Sequence, residues 1–202
     1  MHLKNTFIMI GKLQVVLLFL TFLLVVNYGE WKEDGYQDLM ILIGFFEAMV
    51  IVVALGSLFS KKSEFEGKLE KVLKNSPISV HITAWIVIAL YSLAFFAVAP
   101  FPSGIVFVLG FFSWAYALVG VISHRVVLGL IDASVSQGKA KAQNKGLQVL
   151  DYLSSIHFYA VHTMFSRTHS LPWYVRKPIA IILFIGWIFV MLMSGAIFDT
   201  AG

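Results

Sequence analysis

One carboxylate and two pairs of histidines are the residues of this 202-residue chain whose type and spacing bear on chemistry. Glu47 stands alone in an apolar stretch, ILIGFFEAMVIVVALG, eight residues past Leu39. A charged carboxylate in hydrocarbon costs at least about 2.5 kcal/mol, so such a group is protonated, paired or functional. Counting each apolar run inward from its outer edge puts Thr21, Tyr91, Ser92, Ser113 and Trp114 at similar depth. Glu47, Tyr91 and Ser113 are therefore the expected intramembrane polar site. Three readings compete for it: a neutral carboxyl knitting helices together, a proton or cation site, or a group that orients a partner subunit.

His81 and His124 lie at similar distances on either side of Phe101 and Pro102. Antiparallel helices joined there would hold both imidazoles at one depth. Two level imidazoles on facing helices suit bis-His ligation of a haem b, with Arg125 near a propionate. That is the alternative to the main expectation of no cofactor. His157 and His162 are five apart, not the three or four that put two ligands on one helical face, so no zinc site is read there. With no cysteine in the chain, disulfides, Cys-ligated zinc and iron–sulfur clusters are excluded. GxSxG, HExxH, P-loop and GxGxxG motifs are likewise missing, and no enzyme is expected.

The elements that must position these residues are apolar rods. The chain is 59% hydrophobic and 13% charged, against about 25% charged in soluble domains. Apolar runs cover 7–27, 39–59, 78–99, 105–130 and 179–197. Each is near the roughly 20 residues that a helix needs to cross ~30 Å of hydrocarbon. The first run resembles a secretory signal but lacks a small-x-small cleavage site, and is read as a retained span. Cut at these runs, the chain leaves fourteen of its fifteen Lys and Arg residues on one side, with only Lys32 on the other. Cytoplasmic loops retain cations, so the amino terminus is expected inside and the carboxyl terminus outside. The net charge of +4 belongs to those loops and reads as orientation and lipid attraction, not direct nucleic-acid binding.

The expected class is all-α: a polytopic integral membrane protein of about five transmembrane helices plus cytoplasmic amphipathic helices. Its divisions are a transmembrane hairpin over 1–60, a charged cytoplasmic helix over 61–77 and a second hairpin over 78–131. A cytoplasmic amphipathic segment over 132–178 and a last span with a short outer tail over 179–202 complete it. In the charged helix, Glu64–Lys68 and Glu70–Lys74 have the spacing of in-helix ion pairs. In the amphipathic segment, Leu150, Leu153, Ile156 or His157, Val161 and Met164 recur at helical spacing. Such a stripe suits a helix lying on the membrane surface or docked on a partner, and Leu150, Leu153, Val161 and Met164 are the expected docking residues. Gly44 with Ala48, and Gly110 and Gly120, mark places where helices can approach closely.

The stretch GLIDASVSQGKAKAQNKG, with Gly129, Leu130, Ile131 and Asp132 at its head, follows a span and precedes an amphipathic segment and a final span. In this it resembles the small polytopic inner-membrane proteins of integrating conjugative elements and conjugative plasmids. The chain departs from their pattern in its acidic carboxyl tail and in the absence of Arg-rich residues after Asp132. The resemblance implies a bacterial inner-membrane, non-catalytic accessory of type IV secretion that binds other membrane subunits, among them a coupling ATPase. No catalytic residue carries over. The charge asymmetry itself is testable: alkaline phosphatase fused after Gly202 should be active and a fluorescent protein fused there dark, the reverse result refuting the orientation.

Overall fold

The structure, a computed structural model, describes residues 2–60, 65, 68–95, 98–129 and 144–198. Among the described residues it is helical, with no strand and one isolated β-bridge between Trp31 and Phe198. The main helices are α1 (His2–Val25), α2 (Gly35–Leu58), α3 (Lys68–Asn75), α4 (Ile78–Leu93), α5 (Gly104–Ile122), α6 (Lys145–Thr168) and α7 (Trp173–Ala196). Glu64 of the expected Glu64–Lys68 pair, Leu130 to Asp132, the polar stretch 134–143 and the acidic tail lie outside the described residues.

Four helices, α1, α2, α5 and α7, are long and apolar enough to cross a membrane. The all-α, multi-pass expectation therefore holds. The run 78–99 behaves differently: its helix has 16 residues, about 24 Å, and by itself falls short of the hydrocarbon thickness. Taken together, α3 and α4 pass as one broken span, bent by 106°.

Contacts at the two ends of the bundle show why that broken span is needed. Lys32 N donates to Ile197 O (3.0 Å), which sets the end of α7 against the α1–α2 turn. Asn27 Nδ2 donates to Pro100 O (3.2 Å) and Ser103 Oγ (2.9 Å), which brings the start of α5 to the same end. At the opposite end, Thr6 meets Ser57 (2.8 Å), and Gly56 sits under Ile179 and Thr168. Thus α2 finishes at one end and α5 starts at the other. The stretch carrying α3 and α4 must make that passage, giving five net passages with α1 beginning and α7 finishing at opposite ends.

Cations mark one of those ends. Lys177 Nζ donates to Val121 O and to Ile122 O (3.0 Å), capping the last carbonyls of α5 where a positive charge is favoured. Arg176 donates to His169 O (2.9 Å) beside it. At the turn end, Lys32 is neutralised by Asp38 at 2.6 Å, and Tyr28 and Tyr36 are exposed.

The amphipathic segment corrects the sequence reading. The helix α6 does not lie on a surface; it is built into the bundle and contacts each of the other six helices named above. Ser113 bonds His157 O, Tyr116 meets His162, and a Cβ at Gly120 would strike the Phe165 ring. Rising numbers on both helices show that α5 and α6 run in the same direction. His157 is therefore level with the middle of α5. Asn144 starts α6 by accepting from the amides of Gly146 (3.0 Å) and Leu147 (3.3 Å).

Small residues set the closest helix approach. A Cβ at Gly110 would stand 3.1 Å from Met191 Cα and 3.2 Å from its amide nitrogen, so α5 meets α7 backbone to backbone. Gly44 has nothing within 4 Å and Ala48 is exposed, so that pair is not an internal packing site. Gly110→Val should therefore cost about 1–3 kcal/mol by forcing α5 off α7, while Gly44→Val leaves stability unchanged. Thermal melts in detergent check the pair, and equal losses would contradict the packing.

Candidate functional site

In the bundle interior, the polar groups converge on α6. Its starting half meets α4, where Tyr152 O–H donates to His81 Nδ1 (2.7 Å) and His81 Nε2 faces Ser76 O (3.0 Å). Further along, His157 Nδ1 donates to Leu153 O (2.5 Å), which leaves Nε2 as the acceptor for the Tyr91 hydroxyl of α4. Ser113 Oγ of α5 donates to His157 O (3.0 Å). One helical turn on, Tyr116 O–H bonds Val127 O (2.9 Å) and lies 2.9 Å from His162 Nδ1, while His162 Nε2 faces Phe65 O (3.3 Å). Three tyrosine–histidine pairs thus tie α6 to α4 and α5. Its hydroxyls are bonded too: Ser155 to Asp151 O, Thr163 to Tyr159 O and Thr168 to Met164 O, each within its own helix.

On the α1 side, Tyr159 O–H donates to Glu70 Oε1 (3.0 Å), and the same carboxylate pairs with Lys12 at 2.6 Å. The expected Glu70–Lys74 pair is thereby displaced: Glu70 reaches across to α1 and α6. Its neighbour Leu69 is buried, so α3 is part of the bundle and not a free charged helix.

The predicted site residues separate into two places. Tyr91 and Ser113 come together, both on His157. Glu47 does not join them; its two oxygens each accept from Gln14 Nε2 of α1 at 2.9 Å. Sequence reasoning missed Gln14 because an amide carries no charge to single it out. It also missed His157 as the hub, having set it aside as a zinc ligand.

His81 and His124 are not brought together. The first contacts Tyr152, whereas His124 Nε2 donates to Phe165 O (2.9 Å), thirteen residues along α6 and about 20 Å away. They cannot clamp one haem iron. The hairpin rule misplaced them because α4 leans onto α6 instead of following α5 down its length. Among the described residues, no three His, Asp or Glu side chains cluster as metal ligands.

The expected docking stripe is largely covered. Val161 and Met164 are completely buried and Leu153 packs against the core, leaving Leu150 exposed at 59%. This corrects the reading of Val161 and Met164 as partner contacts: the stripe faces the chain's own helices.

Between α1, α3, α5, α6 and α7 lies a cavity of about 160 Å³, walled by Leu20, Leu109, Ser113, His157 and Trp187 among others. No protein family, curated protein or solved structure matches this chain.

At the cation-rich end, burial pushes the His124 imidazole down to about 3, and Arg176, His169 and Lys177 nearby add to the effect. The folded chain therefore holds His124 neutral, while the unfolded chain protonates it near 6.5. Its contribution to stability is complete above about pH 6.5 and is lost as pH falls toward 3, at up to ~1.4 kcal/mol per pH unit. His124→Gln, which keeps a donor for Phe165 O, should flatten the fall in melting temperature between pH 7 and 4. An unchanged slope would contradict a neutral buried imidazole.

Proposed function

We propose that this chain is a non-catalytic accessory subunit of a larger inner-membrane assembly, of the kind that stands beside the coupling ATPase in conjugative type IV secretion. One observation carries the reading: α6 packs on each of the other six helices named above and bonds its tyrosines and histidines to α3, α4 and α5. Polar groups inside the bundle that are bonded to one another serve to hold helices in place, and this favours a scaffold over a conduit.

The partner-facing surface moves accordingly. The first turns of α6 remain open, with Leu147 and Leu150 exposed and one helical turn apart, and Lys71 and Lys74 lie exposed on α3. An apolar pair flanked by cations suits a partner with an acidic, amphipathic helix. A proton- or cation-coupled role at Glu47 is the second reading. It is favoured by a half-buried carboxylate whose two oxygens share a single amide.

The two readings give opposite outcomes. Under the first, Leu147→Ala with Leu150→Ala should lower co-purification with the coupling ATPase about tenfold while membrane level and melting temperature hold, and Glu47→Gln should be silent. Under the second, Glu47→Gln abolishes ion flux in proteoliposomes. Undiminished co-purification by the double variant overturns the docking assignment.

A further inference from the structure

Glu47 and Gln14 stand at mid-membrane and at the edge of the bundle. Glu47 lies near the centre of α2 and Gln14 near the centre of α1, each about 17 Å from the ends of its helix. Both side chains are half-exposed. One turn to either side of each, the helix surface is open: Gly44 and Ile51 beside Glu47, and Gly11 and Leu18 beside Gln14, are exposed. The pair therefore borders hydrocarbon, about half of a ~30 Å core from either headgroup layer.

Its hydrogen bonding is incomplete. Gln14 Nε2 is 2.9 Å from both carboxyl oxygens, and among the described residues neither side chain makes a further hydrogen bond or ion pair. A carboxyl at that depth with no cation beside it is carried as the neutral acid. One donor, the Glu47 O–H, and one acceptor, Gln14 Oε1, are then left over. Lipid tails can answer neither.

One donor and one acceptor at the same depth are self-complementary. The charge asymmetry gives every copy of the chain the same orientation, so a second copy brings the same two groups to the same level. Turned by half a rotation about the membrane normal, it offers its own Gln14 Oε1 to this chain's Glu47 O–H and receives the reciprocal bond. An unrelated helix would need a matching donor and acceptor at that depth; a second copy has them by construction. The surface also allows the approach. Ile41, Gly44, Ala48, Ile51 and Leu55 are exposed along α2 at alternating steps of three and four, the spacing of a helix–helix seam. A Cβ at Gly44 or Gly11 would meet nothing within 4 Å, and small residues there let two helices close on each other.

We propose that the α1–α2 face seats a second copy of this chain, a parallel homodimer crossed at Gly44 and Ala48 and joined by reciprocal hydrogen bonds from Glu47 O–H to Gln14 Oε1. This goes beyond the accessory role and stands or falls separately from it, because the purified chain alone enters the test. It also parts from an ion site at Glu47, since glutamine in that place keeps a donor for the dimer but cannot carry a titrating proton.

The test uses the full chain, dilute in vesicles of uncharged phosphatidylcholine, with single cysteines added to a sequence that has none. Under a lipid-soluble oxidant, Ala48→Cys should give disulfide-linked dimers. Ile86→Cys, at a site 53% exposed on α4, should not. In the Ala48→Cys background, Glu47→Leu should slow cross-linking about tenfold, the worth of two interhelical hydrogen bonds. Glu47→Gln should hold the unsubstituted rate. Gly44→Val should slow cross-linking as well, although it leaves the fold of a single copy intact. Each variant should melt with the wild type in dilute detergent, where copies are separate. No more cross-linking at position 48 than at position 86 overturns the proposal. An unchanged rate in Glu47→Leu overturns it too, as does loss of cross-linking in Glu47→Gln.

Discussion

Hydrocarbon offers no hydrogen bonds, so each polar group carried into it must find its partner inside the protein. That constraint organises this bundle. With its three tyrosine–histidine pairs, α6 would be costly in lipid, and α4 and α5 supply the matching groups; its Ser155, Thr163 and Thr168 hydroxyls are satisfied within the helix itself. The Tyr91 and Tyr116 hydroxyls and Ser113 sit at the levels α6 requires. The apolar helices follow the opposite logic, presenting residues such as Phe7, Leu18, Phe22, Ile51 and Leu55 outward where a soluble protein would place charge. In a bilayer those faces need no cover.

The same constraint explains the charges. Lys12 sits along α1 between Thr6, which meets Ser57, and Gln14, which meets Glu47. That is well inside the bundle's length. An isolated ammonium there would be unfavourable, and α3 answers it with Glu70. Bringing α3 inward has a topological consequence. The chain leaves α2 at the cation-rich end and must reach the turn end before α5, and it does so through a short charged helix and a short apolar one joined at a sharp bend. The odd number of passages predicted from charge survives, although its third member is not a straight rod.

Much of this was legible beforehand. The runs that became α1, α2, α5 and α7 could be read from length and hydropathy alone, because a span of that kind has few alternatives. The position of α6 could not. An apolar stripe at helical spacing has the same appearance whether it faces lipid, a partner or a neighbouring helix. A better signal was present: Ser155, Ala160, Ser166 and Thr168, all buried, are the small residues that let membrane helices pack closely. The Glu47 site failed for a related reason. Depth along a rod tells which groups are level, but the rotation of each helix decides which ones meet. Gln14 met Glu47, and Tyr91 met His157.

Placement of α6 within the bundle is the claim on which the rest depends, and the absence of native cysteines makes it directly measurable. Single cysteines at positions 160 and 145 can be exposed to a membrane-impermeant maleimide in opened membranes. Ala160 is buried and Lys145, exposed, lies about 18 Å along α6 from the level of His157, beyond half of the hydrocarbon core. Ala160→Cys should therefore label only after denaturation, while Lys145→Cys labels readily. Equal labelling at both positions would place α6 on the outside and contradict the account.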